Sequence, residues 1–149
     1  MITEDDLSAL VGYRMPGGRA RIEPYVDWLV RDVVGAPQRG AGDDTVHPAV
    51  AFLVAQGNVG LELEEVFALF GARSADGPML GEWSVDFAEP LRVNLDYDVG
   101  ARVESVRRKR GARTGVFDLA TVEIGLDGPG GRRHATVRPT YVFPRREAS

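Results

Sequence analysis

PAVAFLVAQGNVGLELEEVFALF, residues 48–70, is the stretch that decides the fold. Ala49, Phe52, Leu53, Gly60, Leu63, Val66, Phe67 and Phe70 recur at intervals of three or four with one longer gap, which is the period of a helix. Pro48 suits a first helical turn, and Gly71 stands where a C-terminal cap belongs. The first half, Ala49 to Ala55, is apolar nearly all round, the pattern of a helix buried on most sides. The spacing therefore predicts one long buried helix over about 48–70. Gly57 and Gly60 each cost about 1 kcal/mol relative to Ala in such a helix. Close approach of another backbone is the usual offset.

Downstream the period drops to two. Trp83, Val85 and Phe87 alternate with Glu82, Ser84 and Asp86, as in a strand with two unlike faces. Val99 to Lys109 reads as a second strand, ending in a charged turn at Arg107-Arg108-Lys109-Arg110-Gly111. Val116 to Leu126 is a third strand, rich in β-branched residues. The turn Asp127-Gly128-Pro129-Gly130-Gly131 leads to a last strand, Arg132 to Phe143. Upstream, Thr3 before Asp5 and Asp6 marks a short helix ending near Gly12. Arg19 to Glu23 is a weak strand. A second helix starts at Pro24, carries Tyr25, Trp28, Leu29 and Val33 at helical spacing, and stops at Gly35. Residues 36–44 form a Gly-rich polar loop.

The expected class is α+β, with a curved antiparallel sheet wrapped around one helix. The 149 residues suit a single domain, 1–149. A hydrophobic fraction of 44% is enough for a real core, and a net charge of -4 argues against a nucleic-acid partner. The chain has no cysteine, which excludes disulfides, thiolate metal sites and a cysteine nucleophile. The acidic start Met1-Ile2-Thr3-Glu4-Asp5-Asp6 is unlike a secretory signal, and no apolar run approaches the ~20 residues of a membrane span. The expected location is the cytoplasm. No Gly-rich phosphate loop, metal-ligand cluster or nucleophile elbow is present, so no cofactor and no metal are expected.

A sheet wrapped around one buried helix is the hot-dog fold, and the sequence resembles the MaoC-like branch of it. It is most similar to the FAS1-like, N-terminal-type dehydratase domains, which include non-catalytic subunits of (3R)-hydroxyacyl-ACP dehydratases. The resemblance runs over nearly the whole chain. It rests on Leu10-Val11-Gly12, Val46-His47-Pro48-Ala49-Val50-Ala51-Phe52, Phe87-Ala88-Glu89-Pro90-Leu91, Val103-Glu104-Ser105-Val106, and Ala135 to Val142. Two departures stand out. Asn94-Leu95 replaces the usual Gly-Asp turn. The Asp-x-Asn-Pro-x-His segment, whose Asp and His act on water and the α-proton of a 2-enoyl thioester in catalytic members, is missing. Only loop 36–44 lies in its place. Asp43 and Asp44 lie four and three residues before His47, whereas the family spacing is five, and Gly42 stands at that spacing.

Asp43, Asp44 and His47 are thus weak catalytic candidates, with no confident one. His47 reads first as a packed or hydrogen-bonded residue at a helix start, and only second as a thioester contact or general base. Candidate ligand contacts are His47, Ala49 beside the helix-start N–H groups that would face an oxyanion, Gln56 and Asn58 on the apolar helix, and Arg107 in the basic cluster. Arg138 is a lesser basic candidate, and His134 reads as a solvated strand residue. The resemblance implies an enoyl-thioester hydratase or dehydratase subunit that works as a homodimer or beside a catalytic MaoC-like partner, on an acyl-CoA or acyl-carrier-protein thioester. The alternatives are a stand-alone homodimer handling an acyl thioester or related ligand with other residues, and a non-enzymatic ligand-binding domain.

Overall fold

A computed structural model describes residues 1–145. Helix α1 (Glu4–Ala9) is fixed by a reciprocal cap, in which the Thr3 side chain accepts from the Asp6 N–H and Asp6 accepts from the Thr3 N–H. Strand β1 (Gly18–Arg21) leads to helix α2 (Pro24–Val34), which Pro24 opens and Gly35 closes in the left-handed conformation, φ 69°. Helices α3 (Val50–Gln56) and α4 (Leu63–Leu69) follow, then strands β2 (Met79–Phe87), β3 (Asp96–Gly111), β4 (Gly115–Asp127) and β5 (Arg133–Arg145). The five strands make one sheet in the order β1-β3-β4-β5-β2, every pair antiparallel. The α+β arrangement expected from the sequence is present.

The central segment departs from the expected single helix. It is helical at both ends, but the chain leaves the helix at Gly57 and resumes at Leu63. The cause is local. Gly60 has φ +83°, and a Cβ there would lie 2.4 Å from the Gly17 carbonyl oxygen. The Gly17 N–H donates to the Val59 carbonyl at 2.8 Å, so the turn is fastened to the stretch before β1. Close approach of another backbone therefore does account for Gly60, but by breaking the helix rather than passing beside it. The Glu65 side chain accepts the Glu62 N–H at 2.8 Å and restarts the helix as α4.

Helix α3 packs against β5, β4 and β2, with Val50, Ala51 and Ala55 fully buried. Facing it are the alternate residues Ala120, Val122, Ile124 and Leu126 of β4, and Ala135, Val137, Tyr141 and Phe143 of β5. Register shifts at Leu80/Glu82, Val103/Ser105 and Leu126/Asp127 bend the strands. On the other face of the sheet, Arg138 meets Glu104, Asp86 and Glu123 at 2.9–3.1 Å, so it is an ion-pair centre. Arg107 to Arg110 lies in paired strand, opposite Leu119 to Val116, and the turn comes later, between Gly111 and Gly115.

Two surfaces remain uncovered. Tyr25, Trp28, Leu29 and Val33 of α2 are exposed, Val33 at 84%. The buried residue of α2 is Asp27. Strand β2 is an edge strand, paired on one side with β5, and Met79, Leu80, Trp83 and Phe87 are exposed along it. Phe52 of α3 stacks on Trp83 with ring centroids 5.2 Å apart.

Candidate functional site

Asp27 organises the region before α3. Its carboxylate is 0% exposed. It accepts from Arg31 Nε at 2.8 Å, from Arg39 Nε at 2.7 Å and from the His47 backbone N–H at 2.7 Å. Burial is the largest influence on this carboxyl and pushes it up. The His47 N–H and the two arginines together outweigh burial and hold it below the usual aspartate range. The arginines then extend the reach. Arg31 donates to the Pro37 and Thr45 carbonyls, and Arg39 to the Asp43 carbonyl. One buried charge thus gives the polar loop 36–47 a fixed shape, although the loop has no periodic structure.

A cavity of about 380 Å³ opens beside this clamp. Val46, Pro48, Phe87, Pro90 and Leu91 give it apolar walls, and Arg31, His47 and Glu89 its charged or titratable groups. The volume is within the usual range for small-molecule sites. The Val46 N–H donates to the Leu91 carbonyl at 2.8 Å, which ties the two walls together.

Of the residues singled out from sequence, His47 lines this cavity. Its Nδ1 accepts the Ala49 N–H at 3.1 Å. The Val50 and Ala51 N–H groups donate to the His47 and Pro48 carbonyls at 3.0 and 3.1 Å. The helix-start N–H groups expected to face an oxyanion are therefore already taken, Ala49 included. Asp43 turns inward on its own loop. Its carboxylate accepts the Thr45 N–H at 2.9 Å, which holds its pKa below the usual value. Asp44 pairs with Arg92. Neither aspartate lines the cavity.

The remaining candidates lie elsewhere. Gln56 is at the opposite end of α3 and lines a separate small cavity of about 30 Å³ together with Met15 and Tyr141. Its Oε1 is buried and has no hydrogen-bond partner among the described residues. Burial pushes the Tyr141 hydroxyl up to about 12. Asn58 Nδ2 donates to the Val54 carbonyl at 2.9 Å, an ordinary end-of-helix bond. Arg107 lies beside α1, near Glu4 and Ser8, and is not part of the larger cavity.

Two residues carry more than their sequence suggested. His134 is 5% exposed rather than solvated. Its Nδ1 lies 3.3 Å from the Pro90 carbonyl, and its ring meets Tyr97 edge-on at 5.2 Å. Its backbone carbonyl accepts the N–H groups of Ala88 and Glu89, so it positions the segment from Phe87 to Leu91. Glu89 lines the cavity, and its carboxylate pairs with Arg132 Nε at 2.6 Å on the side of His134. In the sequence Glu89 enters only as part of the segment Phe87-Ala88-Glu89-Pro90-Leu91, with no signal of its own that it lines a cavity. Among the described residues no three His, Asp or Glu side chains come together as metal ligands, and no helix is long and apolar enough to cross a membrane.

No protein-family profile matches the sequence, and no curated protein is similar to it. Solved structures do share its fold. The ChsH1-ChsH2 complex from Mycobacterium tuberculosis is similar over 97% of this chain and 90% of that one, with a TM-score of 0.66 and 14% identity. The C-terminally truncated HadBC (3R-hydroxyacyl-ACP dehydratase) complex from the same organism gives a TM-score of 0.66 at 11% identity, covering 89% of this chain and 96% of that one. A hot-dog-like protein from Thermanaerovibrio acidaminovorans gives a TM-score of 0.59 at 12% identity, over 89% and 81% of the two chains. At these identities the likeness defines the fold. The chain is a hot-dog fold in which the central helix is broken in two.

Proposed function

We propose that this chain is a MaoC-like, partner-dependent subunit of a 2-enoyl-thioester hydratase or (3R)-hydroxyacyl dehydratase. One observation carries the reading. The aspartates at the start of the central helix are spent on loop structure, Asp43 on the Thr45 N–H and Asp44 on Arg92, so no carboxylate from loop 36–44 stands beside His47 at the cavity. A catalytic pair needs both groups within hydrogen-bond reach of one reacting centre. In this reading a second subunit supplies that pair, while this chain supplies cavity wall and stability.

The uncovered surfaces support a partner. The free edge of β2 offers unpaired backbone groups, and its apolar side chains adjoin α3 through the Phe52–Trp83 stack. Exposed apolar faces of this kind mark association sites. Two of the similar structures are of complexes, ChsH1-ChsH2 and HadBC.

The test is hydration of crotonyl-CoA by the purified chain, alone and after co-expression with a hot-dog subunit that carries the Asp-x-Asn-Pro-x-His segment. The expected result is no turnover alone and turnover with the partner. Robust hydration by the chain alone rejects partner dependence. That outcome favours the second reading, a stand-alone homodimer that handles an acyl thioester. The specific observation behind this alternative is that His47 and Glu89 of this chain both line the 380 Å³ cavity.

A further inference from the structure

Helix α2 wears its apolar residues on the outside. Asp27 and Arg31 turn inward to the clamp, while Tyr25, Trp28, Leu29 and Val33 are 63%, 52%, 49% and 84% exposed. At about 100° per residue, Tyr25 and Asp32 lie on one line down the middle of the exposed face, almost two turns apart. Trp28 flanks that line on one side, and Leu29 and Val33 flank it on the other. Neither the Tyr25 hydroxyl nor the exposed Asp32 carboxylate has a hydrogen-bond partner among the described residues. Asp32 also stands at the unfavourable end of its own helix. It lies in the last turn, where the backbone dipole is negative.

This face is its own complement. Tyr25 and Asp32 are equidistant from the midpoint between Trp28 and Leu29. A second α2 laid antiparallel across that midpoint sets Asp32 of each chain opposite Tyr25 of the other. The phenol donates, the carboxylate accepts, and each carboxylate reaches the positive N-terminal end of the neighbouring helix. Trp28 and Leu29 of both chains then close around the two-fold axis, an isologous contact. We propose that α2 is a self-association surface, on which two copies of this chain pair antiparallel through reciprocal Tyr25–Asp32 hydrogen bonds. A purely apolar occupant, such as a lipid surface, would bury Asp32 as an unpaired charge. The surface is separate from the edge of β2, so the inference is independent of the thioester reading and of the partner proposed there. One helix face makes a small interface, which predicts a weak dimer with a Kd of about 10 µM.

Sedimentation equilibrium of the full chain, from well below to well above that concentration, should show monomer passing to dimer. The emission of Trp28, isolated by Trp83→Phe, should move to shorter wavelength in step. Tyr25→Asp sets two carboxylates face to face and should raise Kd by about tenfold or more. Adding Asp32→Tyr to that variant exchanges the two groups and should bring the dimer back, because a two-fold pair reads the same either way round. Both side chains are exposed in the single chain, so neither replacement opens the core. Monomer at every concentration overturns the proposal, and that measurement needs no variant to fold. A dimer that Tyr25→Asp leaves intact uses another surface and overturns it as well, as does an exchanged variant that stays monomeric. None of these outcomes alters the reading of the crotonyl-CoA experiment.

Discussion

Asp27 and Asp118 are the same device used at two ends of the molecule. Each carboxylate is 0% exposed, and each is gripped by two arginines. Asp118 on β4 takes Arg108 of β3 at 2.8 Å and Arg145 of β5 at 2.6 Å. Those arginines continue into the backbone. Arg108 donates to the Ile2 carbonyl, and Arg145 to the Phe70 and Gly71 carbonyls just past α4. The Asp118 clamp therefore fastens the N-terminus and the end of the helical segment to the sheet. The Asp27 clamp fastens a loop, and the loop forms part of a cavity wall. The chemistry is shared, and the difference lies in what the outer nitrogens of the arginines hold. At one end they hold helix and sheet together, and at the other they hold a site in shape.

The largest effect should come from breaking the structural clamp. Asp118→Ala leaves Arg145, whose side chain is 5% exposed, as an uncompensated buried cation. Removing one partner of such a pair costs about 3–5 kcal/mol. The urea midpoint should fall accordingly. Asp27→Asn should cost less, about 2 kcal/mol, because its amide oxygen can still accept the His47 N–H while the charged bonds weaken. The comparison sharpens if this variant also loses ligand binding in the cavity while Asp118→Asn does not. A reversed order, with Asp27→Asn the more destabilising in urea, breaks it.

Acid should find both clamps. For each aspartate burial is the largest influence and raises the carboxyl, and the hydrogen bonds and charges of its partners bring the net value below 3.8. A carboxyl whose folded value is depressed stabilises the fold fully above the unfolded value, and that stability drains away as pH falls through the folded one. The urea stability of the wild type should therefore drop steeply below about pH 4. Asp118→Asn should flatten that drop, and an unchanged slope would refute the coupling. The smallest effect is expected at the exposed pair Arg19–Asp98, 3.6 Å apart with both side chains 73% exposed. Asp98→Ala should leave the urea midpoint unchanged within error, as is usual for solvated pairs.

The strands were legible because their period is two and their turns carry Gly, Pro and Asp, and α2 because Pro24 and Gly35 bracket it. The break in the central helix was not. Only the approach of Gly17 to Gly60 decides it, and the two lie 43 positions apart (60 minus 17). The buried charges were hidden for the same kind of reason. Asp27 needs Arg39 and His47, 12 and 20 positions on, before burial costs less than it returns. A signal did exist for Asp118. It continues in phase the alternation of Ala120, Val122, Ile124 and Leu126, so a strand reading puts it on the inner face. Loop 36–47 has no period at all, and its shape came only with its partners. Asp43 and Asp44 were weak candidates because their spacing to His47 departs from the family's, and the cavity's other wall, Phe87 to Leu91, lies far along the sequence although it adjoins the loop in space.

The sequence contains two tryptophans, Trp28 and Trp83. Both sit on uncovered apolar surface, 52% and 39% exposed, and neither lines the larger cavity. Indole emission moves to shorter wavelength when water is removed from around the ring. Association across α2 or β2 should therefore blue-shift the chain's intrinsic fluorescence, whereas occupation of the cavity should leave the emission wavelength where it is. The protein carries its own optical means of telling a partner from a ligand.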